Sequence, residues 1–239
     1  MKISNGIEIK DLCLVIGKTL VIPDVHIGYE EAMNKQGILL PREQFDKTMK
    51  RLEKILDGLK LDTIVLLGDI KHEFGVISET EWRQTLHLLD FLGEYCKKLV
   101  LIKGNHDTNL GPIAKKRNLD IEDYYVVGDV YLCHGHEVPE DMDFALAKKV
   151  VIGHEHAAIG LTKGLRVEKF KCFIKGKFCK KELIVMPSFN LVTEGTDLLR
   201  DETLSPFLKQ DLDEFRVYVV GDDEVLDFGK IKDVKNLDE

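Results

Sequence analysis

Metal-capable side chains recur in this chain in five short blocks: Pro23-Asp24-Val25-His26, Gly68-Asp69-Ile70-Lys71-His72, Gly104-Asn105-His106-Asp107, His134-Gly135-His136 and Gly153-His154-Glu155-His156. Asp24, His26, Asp69, Asn105, His134, His154 and His156 offer imidazole, carboxylate or amide oxygen, and none offers a thiolate. That mixture suits Mn, Fe, Zn or Ni rather than a Cys-rich structural zinc site. Seven donors are too many for one ion, but two ions sharing one carboxylate would use them all, with Asp69 the candidate bridge. Two divalent ions, offset by two carboxylates and a bridging hydroxide, leave one positive charge to attract a phosphate. A carboxylate in place of the neutral Asn105 would cancel it. Two metals roughly 3.5–4 Å apart can activate a bridging water and clamp phosphoryl oxygens during in-line attack.

His106 is then left to stabilise charge or protonate the leaving oxygen, and Asp107 could hold its tautomer. These two are the candidate catalytic residues. His72, His136 and Lys71 are candidates for substrate contact or for support behind the ligands. His134 is preferred over His136 as the ligand because it lies nearer the strand end. His72 could face the cleft or solvent; Lys71 could meet a phosphate or stay solvated. Glu155 is expected to point away, and His87, inside a helical pattern, to be structural.

These blocks need elements to position them, and each follows an apolar run of strand length. Strands are expected at Leu12–Ile16, Thr19–Ile22, Thr63–Leu67, Leu99–Ile102, Tyr124–Val127, Val130–Cys133, Val150–Ile152, Arg166–Ile174 and Leu183–Val185, with a terminal hairpin of Phe215–Val220 and Val225–Phe228. Helical spacing covers Gly28–Gln36, a longer stretch opened by Pro41, Glu79–Tyr95 and a short piece near Asp143–Lys148. Strand C-terminal ends are where open α/β sheets gather ligand sites. Strand–helix alternation first and mostly strands later predicts two packed sheets with helices outside. A single domain over 1–239 is expected, with the motif-bearing core at about 20–190 and an extension with the hairpin at 195–239. The aperiodic segment Gly195–Asp213 reads as an extended excursion or a partner-binding loop.

The 239 residues are 44% hydrophobic and 32% charged, with 34 Lys+Arg against 42 Asp+Glu. That excludes a disordered or fibrous chain. The net charge of −8 argues against non-specific duplex binding, which needs a clustered basic face. The basic runs Lys115-Lys116-Arg117 and Lys148-Lys149 read as solvated. The denser Lys169–Lys181 stretch, with Phe170, Phe173 and Phe178, is a weaker candidate for stacking a base. Five irregularly spaced cysteines without a CxxC pair suggest a reducing cytoplasm; pairing of Cys172 with Cys179 across a hairpin is the less favoured alternative. No stretch approaches the ~20 apolar residues of a membrane helix, and Met1–Lys10 lacks a signal-peptide core. No GxxxxGK[ST] or GxGxxG occurs, so nucleotide-driven work is not indicated.

In order, DxH, GDxxH, GNHD, H and GHxH resemble the calcineurin-like metallophosphoesterases, all five blocks lying between Asp24 and His156. The resemblance implies a four-layer αββα sandwich, an α/β fold of two mixed sheets flanked by helices. It assigns one metal to Asp24, His26, Asp69 and His156, the other to Asp69, Asn105, His134 and His154, and makes His106 the catalytic histidine. Manganese is the expected ion, with Fe, Zn or Ni as alternatives. Pro23–Tyr29, Gly37–Pro41 and Gly68–Gly75 look like the archaeal SbcD-related and ligase-associated phosphoesterases. A full SbcD nuclease carries a longer C-terminal part for DNA and its ATPase partner.

The expected activity is hydrolysis of a phosphate ester, a diester before a monoester, with a nucleotide or single-stranded nucleic acid as candidate substrate. A DNA repair nuclease is the alternative substrate reading. A non-catalytic scaffold for a partner protein is the alternative class, and the presence of all seven donors and His106 argues against it.

Overall fold

The computed structural model describes residues 1–75, 77–164, 166–222 and 224–237. In the first sheet, β1 (Lys2–Ser4), β2 (Ile7–Lys10), β3 (Cys13–Ile16) and β4 (Thr19–Ile22) form an antiparallel meander. Beyond β4 the sheet runs parallel through β5 (Thr63–Leu66), β6 (Lys98–Ile102) and β7 (Ile121–Glu122). Parallel neighbours need crossovers. These are supplied by α1 (Tyr29–Lys35) and α2 (Gln44–Leu56), then α3 (Glu79–Gly93), then α4 (Gly111–Lys115).

The second sheet takes β8 (Tyr124–Val127) and β9 (Val130–Cys133). After α5 (Met142–Leu146) come β10 (Lys149–Ile152), β11 (Ala157–Lys163), β12 (Arg166–Phe178), β13 (Lys181–Val185) and β14 (Thr196–Asp197). The hairpin of β15 (Arg216–Val220) and β16 (Val225–Lys230) joins through β12, and α6 (Ile231–Leu237) follows. Its order is β14-β11-β12-β13-β10-β9-β8, and β9, β10 and β13 run parallel.

Side-chain alternation divides the second sheet's faces. Leu132, Val151, Phe173 and Ile184 point into the core shared with Val21, Val65 and Leu101 of the first sheet. Their neighbours Tyr131, Cys133, Val150, Ile152, Leu183 and Val185 form an outer core with Phe144 of α5 and Ile231 and Val234 of α6. Thr48, Leu52, Ile55 and Leu56 of α2 and Leu88, Leu89 and Leu92 of α3 cover the first sheet. The result is the expected α/β sandwich of two mixed sheets between helices.

Several details differ from the sequence reading. The helix expected from Pro41 begins at Gln44, whose N–H donates to Glu30 Oε2 at 2.9 Å. Strands β1, β2, β7, β11 and β14 have no counterpart in the sequence reading. Segment 195–213 is packed onto the domain: β14 lies within it beside β11, and Leu198, Phe207 and Leu208 are buried in the outer core. In the Lys169–Lys181 stretch Phe173 is fully buried, and Phe170 and Phe178 are half-buried against the outer core, Phe178 on Phe207. The five cysteines are free, with Cys172 buried and Cys179 exposed. Among the described residues no helix is long and apolar enough to cross a membrane.

Candidate metal centre

Three adjacent parallel strands of one sheet (β4, β5, β6) and two of the other (β9, β10) end at the same edge, and the five blocks are the loops that leave them. Backbone bonds knit these loops together. His26 N donates to Asp69 O and Ile27 N to Ile70 O, each at 2.9 Å, and His72 N returns to Ile27 O at 2.9 Å. Gly153 N reaches His134 O at 3.0 Å across the second sheet. Asp24 O accepts from Phe189 N, Asn190 N and Ser188 Oγ, which ties the first loop to the segment after β13. Three glycines permit the close approach. A Cβ on Gly68 would strike the His134 imidazole, one on Gly104 would strike Asp69, and one on Gly153 would strike Asp24 Oδ2.

The donors fall into two groups, Asp24 with His26 and His156, and Asp69 with His134 and His154. Within each, one donor atom per residue lies within 4.8 Å of the others. His26 Nε2 stands 3.1 Å from His156 Nε2, and His156 Nε2 is 3.4 Å from Asp24 Oδ1. His134 Nε2 faces His154 Nδ1 at 3.2 Å, Asn105 Oδ1 at 3.0 Å and Asp69 Oδ2 at 3.3 Å. The groups meet at Asp69, whose Oδ2 also lies 3.7 Å from His26 Nε2. All seven expected donors therefore converge. Buried Asp24 Oδ2 has no hydrogen-bond partner. A buried carboxylate with one oxygen bare and the other facing His156 and His134 fits a cation, since burying an uncompensated charge is costly.

A family model described as calcineurin-like phosphoesterase matches residues 17–181, more than half of the chain. The chain belongs to the calcineurin-like phosphoesterases. Among solved structures, the nuclease MPE of Pseudomonas putida matches with a TM-score of 0.66 at 19% identity, over 92% of this chain and 93% of that one. Vps29 of Chaetomium thermophilum matches with a TM-score of 0.43 at 14% identity, over 89% of this chain and 96% of that one. No curated protein matches.

In this calcineurin-like phosphoesterase the protonation of the donors follows from burial and neighbours. Burial and the adjacent His156 push the His26 pKa down to about 3. Burial and His134 take His154 to about 4, and burial and His106 take His72 to about 4. Burial alone would lower His134 too, but Asp69 and Asp24 outweigh it and hold the group at about 9. Burial opposes ionisation of Asp69, yet its bonds to His134 and the charge of His26 keep its carboxyl below the usual range. His26 and His154 thus favour the neutral form that binds metal, whereas the metal-free site holds a proton on His134 that a cation at Nε2 would displace. His134 Nδ1 donates to Leu67 O at 3.1 Å, which leaves Nε2 for the centre.

The candidate catalytic residues are arranged differently from expectation in one respect. His106 Nδ1 donates to the backbone carbonyl of His72 at 2.6 Å, and its Nε2 lies 3.9 Å from Asp69 Oδ2. Asp107 does not touch that ring. Its buried carboxylate accepts from Gly104 N (3.0 Å), Ile70 N (3.1 Å) and Lys71 N (3.2 Å), because the turn after His106 aims it under the loops. Burial and the charge of Asp69 raise it to about 6. The tautomer-holding role falls to His72 O. Lys71 is neither solvated nor free for phosphate: it is fully buried, and Nζ donates to His106 O (2.6 Å) and Glu73 O. His72 faces the cleft, its Nδ1 3.4 Å from His26 Nδ1. His136 stands at the rim, its ring 5.4 Å from His134 and outside both donor groups. Glu155 turns away and accepts from Leu204 N and Ser205 N. His87 is exposed on α3, against Phe45.

Sequence reasoning missed Glu81. Ser78 caps α3 by accepting from Glu81 N, the pattern of a capping box. The buried Glu81 carboxylate instead reaches His72 N and Glu73 N, each at 3.0 Å, and so fixes the loop behind His106. The Ser-x-x-Glu spacing was the available signal.

Proposed function

We propose that this chain hydrolyses a phosphodiester of nucleotide or nucleic-acid type with two divalent cations, manganese in the first instance. Asp24, His26, Asp69 and His156 would hold one cation, and Asp69, Asn105, His134 and His154 the other. The observation that carries the reading is the pair of donor groups meeting at Asp69 with His106 Nε2 beside them. Bound there, the cations would polarise the phosphoryl oxygens and lower the pKa of a water. The chain's own residues do the rest. His72 O holds His106 Nδ1–H, so Nε2 is the atom from which a proton passes to the leaving oxygen. Lys71 and Glu81 hold the carbonyl and amide groups of that loop in place, so little reorganisation is needed.

The likeness to the nuclease MPE favours a diester and makes a nuclease the second reading, with DNA as its substrate. The test is reconstitution. Protein stripped by chelation should hydrolyse bis(p-nitrophenyl) phosphate only after Mn²⁺ is returned, with two ions bound per chain. A panel of monoesters, dinucleotides, cyclic nucleotides and short single strands then ranks substrates. Two bound ions without turnover on any of these would sink the enzymatic reading.

A further inference from the structure

Phe74 is 54% exposed, a state an isolated phenylalanine does not require explaining. Its surroundings are unusual. One face of the ring lies over the His106 imidazole, centroids 3.8 Å apart and planes tilted by 34°. His106 stacks in turn on His72 (5.3 Å, 25°), and His72 meets the edge of Tyr29 (4.8 Å, 66°). These four rings make an aromatic wall along the His106 side of the donor cluster. Phe74 is its outermost member, with its other face open.

The platform is tied to the loop that carries His106. Thr108 Oγ1 donates to Phe74 O at 2.9 Å, and Asn109 Nδ2 donates to Phe74 O at 3.3 Å and Gly75 O at 2.8 Å. The lysine of this loop does not serve a polyanion, because Lys71 is buried and its ammonium is held by carbonyls. What the loop presents outward beside His106 is a π-face. A base stacked on an aromatic ring gives affinity without sequence preference.

We infer that Phe74 is a substrate-binding residue that stacks the base on the leaving side of a nucleotide diester. The inference rests on the phosphodiesterase reading, which puts the leaving oxygen at His106 Nε2 and hence the leaving nucleoside against this wall.

The test compares a thymidine dinucleotide with two counterparts, each lacking the base on one of its sugars, so that the leaving-oxygen chemistry stays the same. With Mn²⁺-loaded protein, Phe74→Ala should lose about ten-fold in kcat/KM on the full dinucleotide and on the counterpart that keeps the leaving-side base. On the other counterpart the loss should stay within about two-fold. Phe74→Leu, which keeps bulk over His106 but has no π-face, should behave like Ala, and Phe74→Trp like wild type. Equal losses on all three substrates, or full rescue by Leu, would overturn the inference and make Phe74 a packing residue for His106. If wild type cleaves none of them, the phosphodiesterase reading fails separately, and stacking is read from a dinucleotide carrying 2-aminopurine. Its fluorescence should be quenched by the metal-free protein but not by Phe74→Ala; equal quenching by both would also overturn the inference.

Discussion

Gly104→Ala tests the packing of the centre with a single methyl group. An ideal Cβ at Gly104 lies 2.8 Å from Asp69 Cγ and closer still to Asp69 Oδ1 and the Asp69 backbone nitrogen, where ordinary contact begins at 3.4 Å. Because one of the struck atoms is backbone, no side-chain rotation clears the clash. Relief needs the Asp69 loop and the Gly104 loop to part by about 1 Å, and a misplacement of that size can cost about a hundred-fold in rate. Overpacking also costs about 1–3 kcal/mol of stability. The expected outcome is a folded protein with kcat/KM on bis(p-nitrophenyl) phosphate reduced about a hundred-fold and with weakened Mn²⁺ binding by calorimetry. Gly93→Ala is the control: the site lies at the end of α3 with nothing within 4 Å, so stability should hold or rise by about 0.4–1 kcal/mol. Wild-type turnover and metal stoichiometry in Gly104→Ala would mean that Asp69 does not sit where the two groups meet, and the dinuclear argument would go with it.

His106→Ala should keep both metals while kcat falls about 10²–10⁴-fold, more for an alkyl than for a p-nitrophenyl leaving group; equal losses on the two would remove it as the proton donor. Asp107→Ala leaves the buried N–H groups of Gly104, Ile70 and Lys71 without an acceptor, at about 1–3 kcal/mol each, and urea denaturation should show it. Asp107→Asn keeps an accepting oxygen and should retain most activity; a loss near 10⁴-fold would restore the tautomer-holding role. For chelated protein, burial depresses the folded-state pKa of His26 to about 3, so below an unfolded value of about 6.5 the unfolded chain takes up a proton that the folded chain refuses. Stability should then fall by about 1.4 kcal/mol per pH unit from pH 6.5 toward 3 through this residue. His134 works the other way: its raised pKa stabilises fully below 6.5, and that contribution is lost as pH rises through about 9. Denaturant midpoints of His26→Gln against wild type should show the flatter acid limb in the variant.

The site was legible because its donors sit where strands stop, and buried parallel strands are continuous apolar runs such as Thr63–Leu66 and Val130–Cys133. The features that escaped depend on distant partners. The N–H of Gln44, first residue of α2, is held by Glu30, fourteen residues upstream, so Pro41 misleads about its start. Strand β11 carries small residues and Gly160, whose missing Cβ makes room for Asp197, Arg200 and Val167, and no alternation marks it. Segment 195–213 lacks periodicity because side-chain oxygens hold it in place: Asp197 takes Gly160 N and Leu199 N, and Glu155 takes Leu204 N and Ser205 N. Asp107 stands next to His106 in the chain, yet adjacent side chains in a tight turn diverge, and the neighbour in space is the carbonyl of His72.

What sequence spacing conveys least is strain. His26 (φ 49°), Asp69 (φ 46°), His154 (φ 63°) and His156 (φ 52°), four of the seven proposed ligands, lie in the left-handed region. Each such residue costs of order 1–3 kcal/mol and persists only where its surroundings over-determine it. Here they do: the His26 and Asp69 loops are bonded to each other, and glycines beneath Asp69, His134 and Asp24 leave no room for the loops to relax inward. The strain is what turns successive donors to one side. In an extended loop His154 and His156, two residues apart, would point together and away from the opposite donor group's share of the site; with both at positive φ and Glu155 folded under, they serve different groups. The fold thus spends stability on a geometry whose use is to place lone pairs, and cations that bind it would return part of that cost by linkage.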